Sequence, residues 1–137
     1  MADMTITDRT FAILEKSLDL RARNQQVIAS NLANAETPGY RARKLSFEED
    51  LRRAISRPET PGKPANPRHF PVAGGNLGQV QGRITSEPDN SVIGDGNNVS
   101  LDDEMFNLAE NQLLYEASSQ ILKKKLTLLK YAVSDGR

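Results

Sequence analysis

Cysteine and tryptophan are missing from these 137 residues, and histidine occurs once. The first absence excludes disulfides and thiolate metal sites, while leaving the redox compartment open. His69 has no second histidine and no carboxylate cluster beside it, so it anchors no metal site by itself. A packing or surface role next to Phe70 is the simpler reading. An excess of one charge is lacking too: Lys plus Arg and Asp plus Glu number 18 each. No basic stripe of the kind a nucleic-acid binder carries stands out. The short run Lys123-Lys124-Lys125 reads as a solvated helix face. No apolar run reaches the length of a membrane span. The start "MADMTITDRT" lacks a basic stretch followed by an apolar one, so no cleaved secretory signal is expected.

Proline and glycine are scarce wherever helix is possible. All seven prolines and eight of the nine glycines lie between Pro38 and Gly96. The flanks are left free for long helices. In the N-terminal flank, from about Asp8 to Ala35, Phe11, Leu14, Leu18, Arg21, Gln25, Ile28, Leu32 and Ala35 recur in steps of three and four. A second stripe joins Ile13, Leu20, Val27 and Asn34. Asp8 or Thr7 is the expected cap. In the C-terminal flank Leu101, Met105, Leu108, Gln112, Tyr115, Ser119, Leu122, Leu126, Leu129 and Val133 keep the same heptad step. Ser100 followed by Asp103 resembles a capping box. Asp102, Asp103 and Glu104 in the first turn, and Lys123 to Lys130 near the end, complement the helix dipole.

The expected fold is mainly α. Two long terminal helices form a coiled-coil-like inner domain, joined by a long irregular Pro/Gly-rich segment with at most short β-strands. The divisions are 1–56, a helical segment ending in a turn; 57–98, the irregular connection; and 99–137, the C-terminal helix. Within the connection, "SRPETPGKPANPRHFP" reads as extended or polyproline-like coil, and short strands are placed around Val80 and Ile84. Both helices are apolar on more than one face, and the middle segment is too polar to cover them. The missing cover is therefore expected from another chain.

Catalytic and metal patterns fail on inspection. The acidic groups Glu48-Glu49-Asp50 and Asp102-Asp103-Glu104 sit at expected helix starts, where capping and dipole roles explain them. A calcium loop counted from Asp89 puts Gly94 at its sixth position but Ile93 at the fifth and Ser100 at the twelfth. No phosphate-cradling glycine loop and no Gly-x-Ser-x-Gly turn occurs. No catalytic residue, metal ligand or cofactor site is assigned.

One stretch asks for a special explanation. In "SNLANAETPGY" the helix carries Asn31 and Asn34 in its last turns, although asparagine competes for backbone hydrogen bonds. It then stops at Thr37-Pro38-Gly39-Tyr40, where Pro38 disfavours helix at Thr37 and Gly39 suits the third position of a type II turn. The pattern Asn-x-x-Asn-x-x-Thr-Pro-Gly-Tyr resembles the N-terminal signature of the bacterial flagellar rod and hook proteins. The residues around Arg21 to Gln26 and the "RARKLSF" continuation are similar to its proximal-rod members. At the other end Asp95, Gly96, Asn97, Val99, Ala109, Glu110, Asn111, Leu114 and Tyr115 match a second motif of those members.

That resemblance implies a non-enzymatic axial subunit of the flagellar basal body, in the periplasmic rod. Its terminal helices pack around the export channel, and it leaves through the flagellar type III apparatus without a cleaved signal. The implied partners are other copies of itself, neighbouring rod proteins of the FlgC type, the FliE adaptor and the membrane ring. The rivals are a sister rod protein of the FlgC type and a coiled-coil module unrelated to motility. Candidate interface residues are Arg21, Gln25, Asn31, Asn34, Thr37, Pro38, Gly39, Tyr40, Asp95, Gly96, Asn97, Glu110, Asn111 and Tyr115. Candidate packing residues are Phe11, Leu14, Leu18, Ile28, Leu32, Leu101, Met105, Leu108, Leu122, Leu126, Leu129 and Val133. Asn31 and Asn34 are expected to bond to adjacent chains and fix register.

Overall fold

The computed structural model describes residues 2–56, 77–88 and 95–134, with side chains from residue 9 onward. Helix α1 runs Ala2–Ala33, strand β1 Arg43–Ser46, helix α2 Glu48–Ser56, a 3-10 turn Leu77–Gln79, strand β2 Arg83–Ser86 and helix α3 Leu101–Val133. The architecture is mainly helical with one two-stranded sheet. The polyproline-like stretch that holds His69, and the turn run from Asp89 to Gly94, lie outside the described residues.

The two long helices fall where the flanks lack proline and glycine. Helix α1 begins earlier than expected, so Thr7 and Asp8 lie inside it rather than capping it. No proline or glycine stands in its first turns to stop it. Helix α3 starts as expected: Ser100 holds extended backbone, and its side chain accepts from the Asp103 amide at 3.4 Å. The two helices run antiparallel, because Asn31 meets Glu104 while Arg21 and Asn24 meet Asn111. Asn24 and Asn31 are seven residues apart, as are Glu104 and Asn111, so one heptad of each helix faces the other.

The second face of α1 carries a small core. Leu20 and Val27 pack with Leu45, Phe47, Ala54, Leu77 and Val80, flanked by Ile13 and Leu51. Two of these, Leu20 and Val27, come from the second stripe of the N-terminal flank. Phe47 is 1% exposed, and full burial of such a ring contributes about 1.5–3 kcal/mol. Strands β1 and β2 pair antiparallel with Leu45 opposite Ile84. Gly82 precedes β2 at φ +70°, and a Cβ there would meet Leu45 Cδ1 at 2.9 Å. Only glycine fits that corner.

Three expectations change. The strand around Ile84 is present, but Val80 sits just after the 3-10 turn and is buried instead of paired. Its strand partner, β1, lies in the segment assigned to the N-terminal helix. The assigned divisions therefore interlock: 43–56 and 77–86 close over α1 together. Third, the face that α3 presents to α1 takes only Leu108 and Leu122 from the apolar heptad. It runs through Glu104, Leu108, Asn111, Ser118, Leu122 and Lys125, all buried or half-buried. Leu101, Met105, Leu126, Leu129 and Val133, expected to pack, are exposed in this chain. The hydrogen bonds of Asn111 and Glu104 rotate the polar edge of α3 inward, and the apolar positions turn outward. Of the α1 packing residues, Ile28 is buried, and Phe11, Leu14, Leu18 and Leu32 are half-buried.

Candidate functional site

The two terminal motifs meet at one corner. Helix α1 ends at Ala33, and the amides of Asn34 and Ala35 still bond back to the Asn31 and Leu32 carbonyls. The Thr37–Tyr40 turn follows, with Tyr40 N–H donating to the Thr37 carbonyl at 3.2 Å and Gly39 at φ +72°. This is the expected type II turn. Asp95 and Gly96 lie against it: Gly39 N–H donates to the Asp95 carbonyl at 2.8 Å, and a Cβ on Gly96 would stand 3.5 Å from Gly39 Cα.

Asn97 then caps α1 from far along the chain. Its Nδ2 lies 2.9, 2.8 and 2.9 Å from the carbonyls of Asn34, Ala35 and Thr37. These carbonyls lie in the turns that follow the helix end, and two of them also accept from the Thr37 and Tyr40 amides. Asn97 is itself braced, because its Oδ1 accepts from Val99 N–H and its own N–H donates to Asp95 Oδ1. Asn98 continues the stitching, with Oδ1 accepting from Ala42 N–H at 2.7 Å.

Asn31 is the centre of the corner and is fully buried. Its Nδ2 donates to the Arg43 carbonyl at 2.7 Å and to Glu104 Oε1 at 3.0 Å. Its Oδ1 accepts from Arg43 N–H at 2.9 Å and from the Tyr40 hydroxyl at 3.2 Å. Ser30 Oγ lies 3.1 Å from that hydroxyl. One amide thus joins α1, the turn, the edge of β1 and α3, using all of its hydrogen-bonding capacity. Asn34 plays a local part: Nδ2 donates to the Ser30 carbonyl and Oδ1 accepts from Thr37 Oγ1. Asn31 and Asn34, expected to bond to adjacent chains, find partners in their own chain, and those of Asn31 take up its whole amide. A helix-end amide beside a returning strand meets free backbone groups before any neighbour does.

A second amide lies further along the helix pair. Asn111 is 2% exposed; its Nδ2 donates to the Arg21 carbonyl and to Gln25 Oε1, each at 3.0 Å, and its Oδ1 accepts from Asn24 Nδ2 at 3.2 Å. Arg21 and Gln25 therefore belong to an internal lock. The Arg21 guanidinium also stands 5.6 Å from the centre of the Phe47 ring, within cation–π range. Thr37 and Pro38 are exposed at the turn, while Glu110 and Tyr115 are exposed on α3 outside both locks.

Glu104 and Asn24 were not singled out from the sequence. Glu104 had an adequate explanation as a helix-start acid, yet it is only 8% exposed. Burial pushes its carboxyl above the ordinary glutamate range, against the Asn31 hydrogen bond that favours the charged form; Glu87 and Asp103 add to the rise, and Lys44 opposes it. Among the described residues its Oε2 has no hydrogen-bond partner. The heptad spacing of Glu104 to Asn111 was the available signal.

The described residues make an antiparallel helix pair locked by internal amides, with most large apolar side chains of α3 left outside, the make-up of a structural subunit rather than of a catalytic pocket. Comparison with known proteins places that subunit. A family model described as flagella basal body rod protein matches residues 15–41, which hold Asn31, Asn34 and the turn as far as Tyr40. The flagellar basal body rod protein FlgB of Bacillus subtilis is 34% identical over 134 residues, covering 98% of this chain and 100% of its own length. That of Aeromonas hydrophila is 32% identical over 120 residues, covering 88% and 89%. That of Escherichia coli is 30% identical over 140 residues, covering 94% and 96%. The chain belongs to the FlgB family of flagellar basal body rod proteins. It is a structural rod subunit of the bacterial flagellar basal body, not an enzyme, and it associates with other rod components.

Proposed function

We propose that this subunit polymerises through its terminal helices and helps to form the proximal shaft around the export channel. The observation that carries this is the outer surface of α3. Phe106, Leu113, Leu128 and Val133 are 71%, 67%, 68% and 85% exposed, and Met105, Ile121, Leu126 and Tyr131 lie open beside them. An apolar surface running the length of a 33-residue helix is an association surface rather than a stable solvent face. Because these side chains point in several directions around the helix, they fit heterologous contacts with more than one neighbour.

In this reading α1 and α3 make one inner domain, and the Thr37–Tyr40 corner sends the chain outward into the 57–98 segment. Partners are further copies, a FlgC-like rod protein, the FliE adaptor and the membrane ring. The subunit reaches the periplasm through the flagellar type III apparatus without a cleaved signal. No helix among the described residues is long and apolar enough to cross a membrane, which suits a subunit that contacts the ring without spanning the bilayer. The test is the pair Leu113→Ser and Leu128→Ser. Each should leave the thermal unfolding of the isolated chain unchanged and abolish rod assembly, counted as basal bodies in electron micrographs. Normal basal bodies in the double variant would refute polymerisation through α3.

A further inference from the structure

The locked corner leaves one charged atom unsettled. Glu104 is held from one side by Asn31, which bonds Oε1 at 3.0 Å and is itself immobilised by Arg43 and Tyr40. The other oxygen, Oε2, has no hydrogen-bond partner although the residue is 8% exposed. A buried charge left unpaired is costly, and proteins retain one where a partner arrives later. Glu104 lines a cleft of about 270 Å³ between α1, β1 and α3, ample for a guanidinium or ammonium group. Glu48, Glu87 and Glu110 line the same cleft, as do Arg21, Arg43 and Lys44.

Among the described residues no cation bonds Oε2. Arg21 is drawn over the Phe47 ring, and Arg43 engages the lock through its backbone. Lys44, exposed on β1, acts on the carboxyl by its charge but makes no hydrogen bond to Oε2.

We propose that this cleft is a socket for a cationic side chain, arginine or lysine, carried by a neighbouring subunit of the rod, with Glu104 Oε2 as its acceptor. This rests on the reading that the chain polymerises through its terminal helices. The socket would make assembly sensitive to the corner's integrity, since Asn31 aims the carboxylate only when the turn and β1 are folded against α1. The preformed acceptor also gives register: an apolar helix face tolerates sliding, whereas one buried charge pairs in a single position.

The test uses the full chain, purified for stability and expressed in the flagellated host for assembly. Glu104→Gln keeps the shape and the Asn31 bond but removes the charge. It should fold at least as stably as the parent at neutral pH, yet cut the number of basal bodies roughly tenfold or more, the effect of losing one charge-assisted bond at an interface. Swimming revertants of Glu104→Lys should carry an acidic replacement of an Arg or Lys on another rod subunit or another copy. Normal assembly with Glu104→Gln would overturn the socket, showing that solvent satisfies Oε2. Parallel loss of stability and assembly would overturn it in favour of a purely structural acid. A Lys44→Gln variant that reproduces the defect, or revertants confined to Lys44, would place the cation within the chain and overturn it as well. Leu128→Ser separates the two readings: assembly lost there but intact in Glu104→Gln sinks the socket alone, and assembly intact in both sinks polymerisation through α3 too.

Discussion

The two ends of α3 follow opposite rules. Its first three turns carry polar residues inward: Glu104 and Asn111 are buried and bonded to Asn31, Asn24, Gln25 and Arg21. Apolar residues point outward from the first turns too, at Leu101, Met105 and Phe106, and in the later turns Ile121, Leu126, Leu128, Leu129, Tyr131 and Val133 are exposed with no buried residue beside them. The usual preference for apolar residues inside is reversed along one helix. Burying an amide is acceptable when every donor and acceptor finds a partner, and Asn31 meets that condition. Exposing leucine is acceptable when another chain will cover it. The first end is tied into the chain by Glu104 and Asn111, and the second has no buried residue.

Breaking the completed end should have the largest effect on the isolated chain. Asn31→Leu would take the partner from the Arg43 backbone groups, the Tyr40 hydroxyl and Glu104 Oε1 at a largely buried corner. At roughly 1–3 kcal/mol for each buried group left unsatisfied, a loss of about 3–5 kcal/mol is expected, read by urea denaturation. A shift within the noise would show that the corner opens readily and that the lock is not the stable half. Asn97→Ala comes next. It frees the Asn34, Ala35 and Thr37 carbonyls near the surface, where water replaces part of what is lost, so roughly 1–2 kcal/mol is expected. Amide exchange should quicken at residues 34–42 and stay unchanged beyond residue 113.

The pH dependence is smaller and sharpens the role of Glu104. Its folded carboxyl holds a proton more tightly than the unfolded one, because burial, Glu87 and Asp103 outweigh Asn31 and Lys44. The folded state is therefore favoured below the ordinary glutamate range, and that contribution is lost as pH rises through the raised folded value. Unfolding midpoints of the parent should fall slightly as pH rises across that window. In Glu104→Gln this component should vanish. An identical pH profile in the two proteins would show that the carboxylate is not desolvated.

The smallest effect is expected at the open end. Ile121→Ser with Leu128→Ser should change the stability of the isolated chain by less than about 0.5 kcal/mol per site, as for surface positions generally. A large loss would mean that the later turns of α3 are already covered in the monomer, and the contrast between the two ends would disappear.

Residue spacing and punctuation already determine much of this molecule. Two long helices follow from flanks without proline or glycine, and Ser100 marks the start of α3. Pro38 and Gly39 specify the turn after Asn34, because both act through the backbone of their own neighbours. The presence of two polar motifs at opposite ends was legible as well. Their contact was not. That Asn97 caps α1, that Asn31 bonds β1 and Glu104, and that Arg43–Ser46 is a strand at all depend on pairings 12 to 73 residues apart. The face of α3 turned toward α1 was likewise decided by tertiary structure. Heptad spacing gives several stripes on one helix, and only the hydrogen-bond partners waiting on α1 choose among them. They chose the stripe with Glu104 and Asn111, and most of the leucines were left exposed.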